Sequence, residues 1–113
     1  QNIGQKVDNL EKIQGQYIGL MKFQNKGCDM IKKFYKITKD LAKNGKNPLN
    51  QNIPFEKSYM TDFLQGMIDY GYKIKAVPIS SGWLELDSMD DYKIYNKKFE
   101  DKTISEFFSV NNI

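Results

Sequence analysis

The 113-residue chain contains no histidine and no arginine. The first absence excludes an imidazole general base and any histidine-ligated metal. The second removes the guanidinium forks that usually grip nucleic acid. All 17 basic residues are lysines, scattered among many Asn and Ile in the manner of an AT-rich coding bias, and the formal charge is only +3. The basic balance therefore reads as a solvated surface, and nucleic acid is not expected as a partner. The single cysteine, Cys28, cannot form an internal disulfide, which fits a reducing compartment. It reads as a small filler on a helix. No run approaches the roughly 18 apolar residues needed to span a membrane. The opening QNIGQKV carries neither an initiator methionine nor a signal-peptide pattern. A cytoplasmic protein without a membrane partner is expected. At this length one domain is the limit, small for an enzyme with two substrate pockets, so a piece of a larger protein is expected.

Hydrophobic periodicity and turn chemistry divide what is present. QYIGLMKF, Gln16 to Phe23, is β-rich and predicts a strand. After Asn25, a capping residue, Met30, Ile31, Phe34, Ile37, Leu41 and Ala42 recur at helical spacing. Lysines occupy the other side, and Asn44-Gly45 supplies a left-handed stop signal. A long loop follows from Asn44 to Lys57. A second helix is expected from about Tyr59 to Tyr70, capped by Ser58 or Thr61, with Phe63, Leu64, Met67 and Ile68 inward and Gly71 closing it. YKIKAVPI, Tyr72 to Ile79, reads as a strand that Pro78 confines to an edge or an end. A Ser-Ser-Gly turn leads to a further extended segment, Trp83 to Asp87. Ser88 and Asp91 form a capping pair ahead of a helix from about Met89 to Lys98. Thr103 and Glu106 suggest another capping box, before Phe107 and Phe108. Strands alternating with helices predict an α/β fold with helices covering a sheet. There is no internal repeat and no low-complexity tract.

The segment GWLELDSMDD carries the chemistry. In an extended chain Trp83, Glu85 and Asp87 share one side while Leu84 and Leu86 face the other. Two neighbouring carboxylates repel, and such a pair persists either because water screens it or because a cation lies between them. Mg²⁺ takes hard oxygen ligands, commonly one or two carboxylates with phosphates and waters completing its octahedron, and Glu85 and Asp87 suit that role. Spacing alone equally allows Asp87 to be a cap for the following helix and Glu85 to be a solvated surface residue.

YKIKAVPISSGWLELDSMDDYKIY, with GQYIGLMKF upstream and YMTDFLQGMID between them, resembles the C-terminal half of the nucleoside-triphosphate transferase family, the sugar-1-phosphate and phosphocholine nucleotidyltransferases. The ordered set covers most of residues 13 to 95, and W-L-E-L-D is its sharpest part. The resemblance implies the C-terminal part of a Rossmann-like nucleotidyltransferase fold, a mixed sheet flanked by helices. On that view residues 1–113 form a single portion from which the nucleotide-binding half is absent, since the family's Gly-rich, basic phosphate loop has no counterpart here. It implies Asp87 and Glu85 as carboxylates beside Mg²⁺, Asp87 foremost. Trp83, Gln16 and Asp62 are implied on the substrate side.

The reaction implied is transfer of a nucleotidyl group from a nucleoside triphosphate to a phosphorylated small molecule, a sugar 1-phosphate or a phosphocholine-like acceptor, with release of pyrophosphate. Likeness to the phosphocholine branch favours CTP, and this chain alone is expected to be inactive. Two departures bear on specificity. Gln16 stands where many members carry Glu, which removes a charge from the acceptor side, and Ser88 stands where Thr is usual. Trp83 is a packing residue or, beside the carboxylates, a face for a cationic acceptor. Asp62 reads first as a helix N-terminal charge and second as a supporting group. The rival reading is a non-catalytic interaction domain that pairs with another chain through an exposed sheet edge, and open edges would also drive self-association.

Overall fold

The computed structural model describes residues 2–4 and 8–108. Among the described residues there are three α-helices: α1 (Lys26–Lys43), α2 (Met60–Asp69) and α3 (Met89–Glu100). One-turn 3₁₀ helices occupy Leu10–Lys12, Phe55–Lys57 and Ile104–Glu106. The chain divides into two compact units, Gln1–Lys75 and Ala76–Ile113.

The expected α/β architecture is not what forms. Among the described residues there is no strand and hence no mixed sheet. The three β-rich segments, residues 16–23, 72–79 and 83–87, are irregular. Strand propensity expresses itself through cross-strand hydrogen bonds and side-chain pairs, and these segments have no ladder partner among the described residues. Their mostly exposed backbone can reach water instead. The sheet edge required by both the interaction-domain reading and the expected self-association is accordingly not present there.

Helix pairing builds the first unit. Asn25 precedes α1 at φ 50 and ψ −126, a positive-φ conformation outside the left-handed α well, and its side chain makes no cap bond. Phe34, only 3% exposed, is the central side chain. Its ring meets Phe63 edge-on at 5.2 Å, Tyr70 at 5.5 Å and Tyr72 at 5.8 Å. Leu64 and Met67 bring the buried face of α2 to the same core. A side chain on Gly66 would lie 2.7 Å from Leu49 Cδ2 and 3.3 Å from Phe34 Cζ, so the missing Cβ makes room for the ring. The buried Thr38 hydroxyl donates to the Phe34 and Tyr35 carbonyls at 3.0 and 3.1 Å.

The expected stripe of α1 is buried only in its middle, for Met30 and Leu41 are 43% and 56% exposed. Nor does α1 end in a left-handed stop: Asn44 lies at φ −103 and its amide donates to the Leu41 carbonyl. Tyr59, not Ser58 or Thr61, is the N-cap of α2. Gly71 does close that helix. At φ 99 it donates to the Ile68 carbonyl while Tyr72 donates to that of Met67, the pair of bonds that seals a left-handed helix end.

The long loop between α1 and α2 is organised around a buried asparagine. Asn47 Nδ2 donates to the Ile53 carbonyl at 3.0 Å and to Ser58 Oγ at 2.8 Å, and its Oδ1 accepts from the Leu49 amide at 3.0 Å. This bonding takes Ser58 out of the capping role that the sequence suggested.

In the second unit no described residue is buried, and its order comes from hydrogen bonds at chain turns. Ser81 and Gly82 both have positive φ, 56 and 83, and the Gly82 amide donates to the Phe107 carbonyl at 2.8 Å. Ser88 caps α3 in a reciprocal box: its Oγ accepts from the Asp91 amide at 3.2 Å, and Asp91 Oδ2 accepts from the Ser88 amide at 2.8 Å and the Ser88 hydroxyl at 2.7 Å. The hydroxyl bond above all, then the Ser88 and Asp87 amides, holds the Asp91 carboxyl below its ordinary value of 3.8 against an opposing desolvation. α3 runs on to Glu100, past the expected Lys98, and ends with Lys102 in the left-handed region at φ 58. There Lys102 and Thr103 donate to the Phe99 and Lys98 carbonyls. Thr103 makes no side-chain cap bond, so the expected second capping box does not close. Lys98 Nζ lies 4.5 Å from the centre of the Phe107 ring, a cation–π contact between α3 and the C-terminal turn.

Three outcomes are expected. Asn47→Ala strands the Leu49 amide and two acceptors, and urea titration should show a loss of about 1–3 kcal/mol. Lys102→Gly relieves a side chain of left-handed strain and should stabilise α3 by about 1 kcal/mol, read from thermal melting of helix circular dichroism. Because folding lowers the Asp91 pKa, the stabilisation from its cap is complete above the ordinary value of 3.8 and is lost as pH falls through the lower folded value. Ser88→Ala should therefore melt earlier than wild type at neutral pH, and the gap should narrow in strong acid to what the Asp91 amide bond to Ser88 Oγ contributes.

Candidate functional site

The five residues that the sequence marks as site candidates fall in both units. Gln16 and Asp62 belong to the first, and Trp83, Glu85 and Asp87 to the second.

In the first unit, Gln16 is exposed on an irregular segment rather than on a strand. Asp62 sits in the first turn of α2, where a carboxylate favours the positive end of the helix dipole. Both of its oxygens are engaged. Oδ2 accepts from the Tyr59 amide at 2.9 Å, and Oδ1 accepts from Asn50 Nδ2 at 3.3 Å. Asp62 thereby ties the start of α2 to the preceding loop.

In the second unit, residues 83–87 join no strand, and the leucines expected to face away from the carboxylates are not buried. Trp83 is half-buried, while Leu84, Glu85, Leu86 and Asp87 are exposed, Leu86 at 62%. The segment is fastened at its ends. The Gly82 amide is held by the Phe107 carbonyl, and the Asp87 amide donates to Asp91 Oδ2 at 3.2 Å. Ser88, not Asp87, is the cap of α3. The Asp87 carboxylate enters no hydrogen bond or ion pair among the described residues, although its own backbone is tied to the helix.

The Asp91 carboxylate thus has a second role that spacing did not disclose. Its position three residues after Ser88 announced the capping box, but the additional bond to the Asp87 amide depends on the backbone bend ahead of the cap. That bend has no signature in residue type.

The chemistry of this segment is that of hard oxygen donors. Among the described residues there is no cluster of three or more His, Cys, Asp or Glu side chains able to hold a metal ion by themselves. Glu85 and Asp87 are oxygen donors of the kind Mg²⁺ takes, and an ion held there would draw most of its ligands from phosphate and water. No helix among the described residues is long and apolar enough to cross a membrane.

No family model matches the chain, and no solved structure matches it. A curated protein does. Over 97 residues the chain is 35% identical to the CTP:phosphoglutamine cytidylyltransferase of Campylobacter jejuni subsp. jejuni, an alignment covering 85% of this chain and 36% of that protein. The chain thus spans about a third of the length of the curated relative it matches. The likeness runs over most of this chain and is to a part of that cytidylyltransferase.

Proposed function

We propose that this chain is part of a cytidylyltransferase that transfers CMP from CTP to the phosphate of a small phosphorylated acceptor and releases pyrophosphate. The observation that carries the reading is the 35% identity over 97 residues to a cytidylyltransferase. The ordered W-L-E-L-D segment and the unengaged Asp87 carboxylate are consistent with it. The relative's name makes phosphoglutamine the first acceptor to test, ahead of sugar 1-phosphates and phosphocholine.

In this reaction an oxygen of the acceptor phosphate attacks the α-phosphorus of CTP. One P–O bond forms, the bond from the α-phosphorus to the bridging oxygen breaks, and the electron pair leaves with pyrophosphate. The acceptor's phosphoryl group, whether a phosphoramidate or a monoester, is already ionised near neutral pH, so no side chain need remove a proton, and a chain without histidine is not handicapped. What remains is positioning and charge neutralisation. Mg²⁺, when bound, would supply the neutralisation of the triphosphate. Asp87, with Glu85 as its companion, would hold the metal side of the phosphates, and lysines of the protein would offset the remaining negative charge. Trp83 would offer its ring to the acceptor, and Gln16 an uncharged hydrogen-bonding group.

The test is pyrophosphate release by the protein that carries this sequence, given CTP with and without phosphoglutamine. Release should require both. Asp87→Asn removes charge at constant shape and should lower kcat/KM by roughly a hundredfold or more with an unchanged melting temperature. Glu85→Gln should do the same more weakly. A wild-type rate and Mg²⁺ dependence in Asp87→Asn would remove Asp87 from the reaction.

A further inference from the structure

We infer that Asp91 is a positioning residue for Asp87, setting where that carboxylate meets the metal side of the nucleotide as well as capping α3. The inference rests on the reading of Asp87 given above. Its basis is the convergence on a single oxygen: Asp91 Oδ2 accepts from the Asp87 amide at 3.2 Å, the Ser88 amide at 2.8 Å and the Ser88 hydroxyl at 2.7 Å. A capping box needs only the exchange with Ser88. The bond to the Asp87 amide reaches one residue further back, to the residue whose carboxylate has no partner among the described residues.

The mechanical consequence follows from covalent geometry. With its amide tied to the first turn of a twelve-residue helix, Asp87 has only two side-chain torsions between a fixed nitrogen and its carboxylate oxygens. The other end of the segment is fastened through the Gly82 amide on the Phe107 carbonyl. Lys98 joins that turn to α3 through the Phe107 ring. The W-L-E-L-D segment is therefore held at both ends by α3 and the turn that follows it. A carboxylate that must meet phosphate-bound metal gains from such support, because partners that orient a metal ligand are commonly worth roughly 10- to 100-fold in affinity or rate.

Two substitutions separate positioning from capping. Glu is the usual acid at this position of a capping box. Asp91→Glu should therefore keep the melting temperature while its longer side chain displaces the oxygen that holds the Asp87 amide. Ser88→Ala removes the cap hydroxyl but leaves Asp91 Oδ2 and the Asp87 amide in place. The probe is Mn²⁺·CTP without acceptor, its binding to the whole protein followed by water-proton relaxation enhancement. The Asp87 amide is followed separately in ¹⁵N–¹H spectra.

The expected result is a roughly tenfold weaker affinity and a displaced Asp87 amide resonance in Asp91→Glu at wild-type stability. Ser88→Ala should lose stability at near wild-type affinity. If Asp91→Glu binds Mn²⁺·CTP like wild type while Asp87→Asn does not, or if affinity simply tracks melting temperature across the variants, Asp91 is a cap and nothing more. If Asp87→Asn also binds like wild type, the role of Asp87 falls and the positioning role falls with it.

Discussion

One carboxylate oxygen, Asp91 Oδ2, organises the second unit. With no fully buried side chain among its described residues and only half-buried ones such as Trp83, Tyr95 and Ile104, the stretch 76–108 gains less from the hydrophobic burial that holds most small folds. Local hydrogen bonds substitute for much of it, in the box that starts α3, the left-handed turn that ends it, and the amide of Gly82 on the Phe107 carbonyl. Because such contacts are exchanged against water, each contributes modestly. The acidic segment therefore lies in a part of the chain whose order is local. The first unit follows the opposite logic. There the Phe34 ring gathers aromatic neighbours from beyond its own helix, and the intervening loop carries its own buried polar centre in Asn47.

Helices were legible in the sequence where the physics is local. The apolar period marked α1 and α2, Gly71 marked the end of α2, and the pairing of Ser88 with Asp91 marked the start of α3. Where the outcome depended on distant partners the residues were silent. The β-rich runs at residues 16–23, 72–79 and 83–87 have the composition of strands, but a strand is a relation between two segments. Lys102 shows the same limit on a smaller scale. A lysine carries no helix-stop signal, and its left-handed conformation is imposed by the bonds that Lys102 and Thr103 make to the preceding turn.

The candidate site was legible as chemistry and less so as geometry. Hard oxygen donors at residues 85 and 87 could be read directly, while the nucleotidyl-transfer reaction came from the family resemblance, with which the likeness to a cytidylyltransferase accords. Trp83, Glu85 and Asp87 lie in a segment that joins no sheet, so no ladder fixes the common side that an extended chain would give them. Asp62 illustrates the converse. A carboxylate in the first turn of a helix suits either a ligand or a local tether, and the hydrogen bonds from Tyr59 and Asn50 show the tether at work.

The unequal lengths of the two core helices bear on how this sequence can drift. α1 has 18 residues and α2 only 10, so at the standard rise they extend about 27 and 15 Å. The shorter helix cannot cover the longer one from end to end. Phe34 and Thr38, near the middle of α1, are buried, while Met30 and Leu41, on the same stripe, remain substantially in water. Tolerance to substitution should then be graded along one helix. It should be narrow at Phe34, where any change must also suit Gly66 and the surrounding rings, and broad toward either end, where an apolar residue has few neighbours to disappoint. A lineage carrying this segment would be expected to vary first at those two ends while keeping the centre of the stripe nearly fixed.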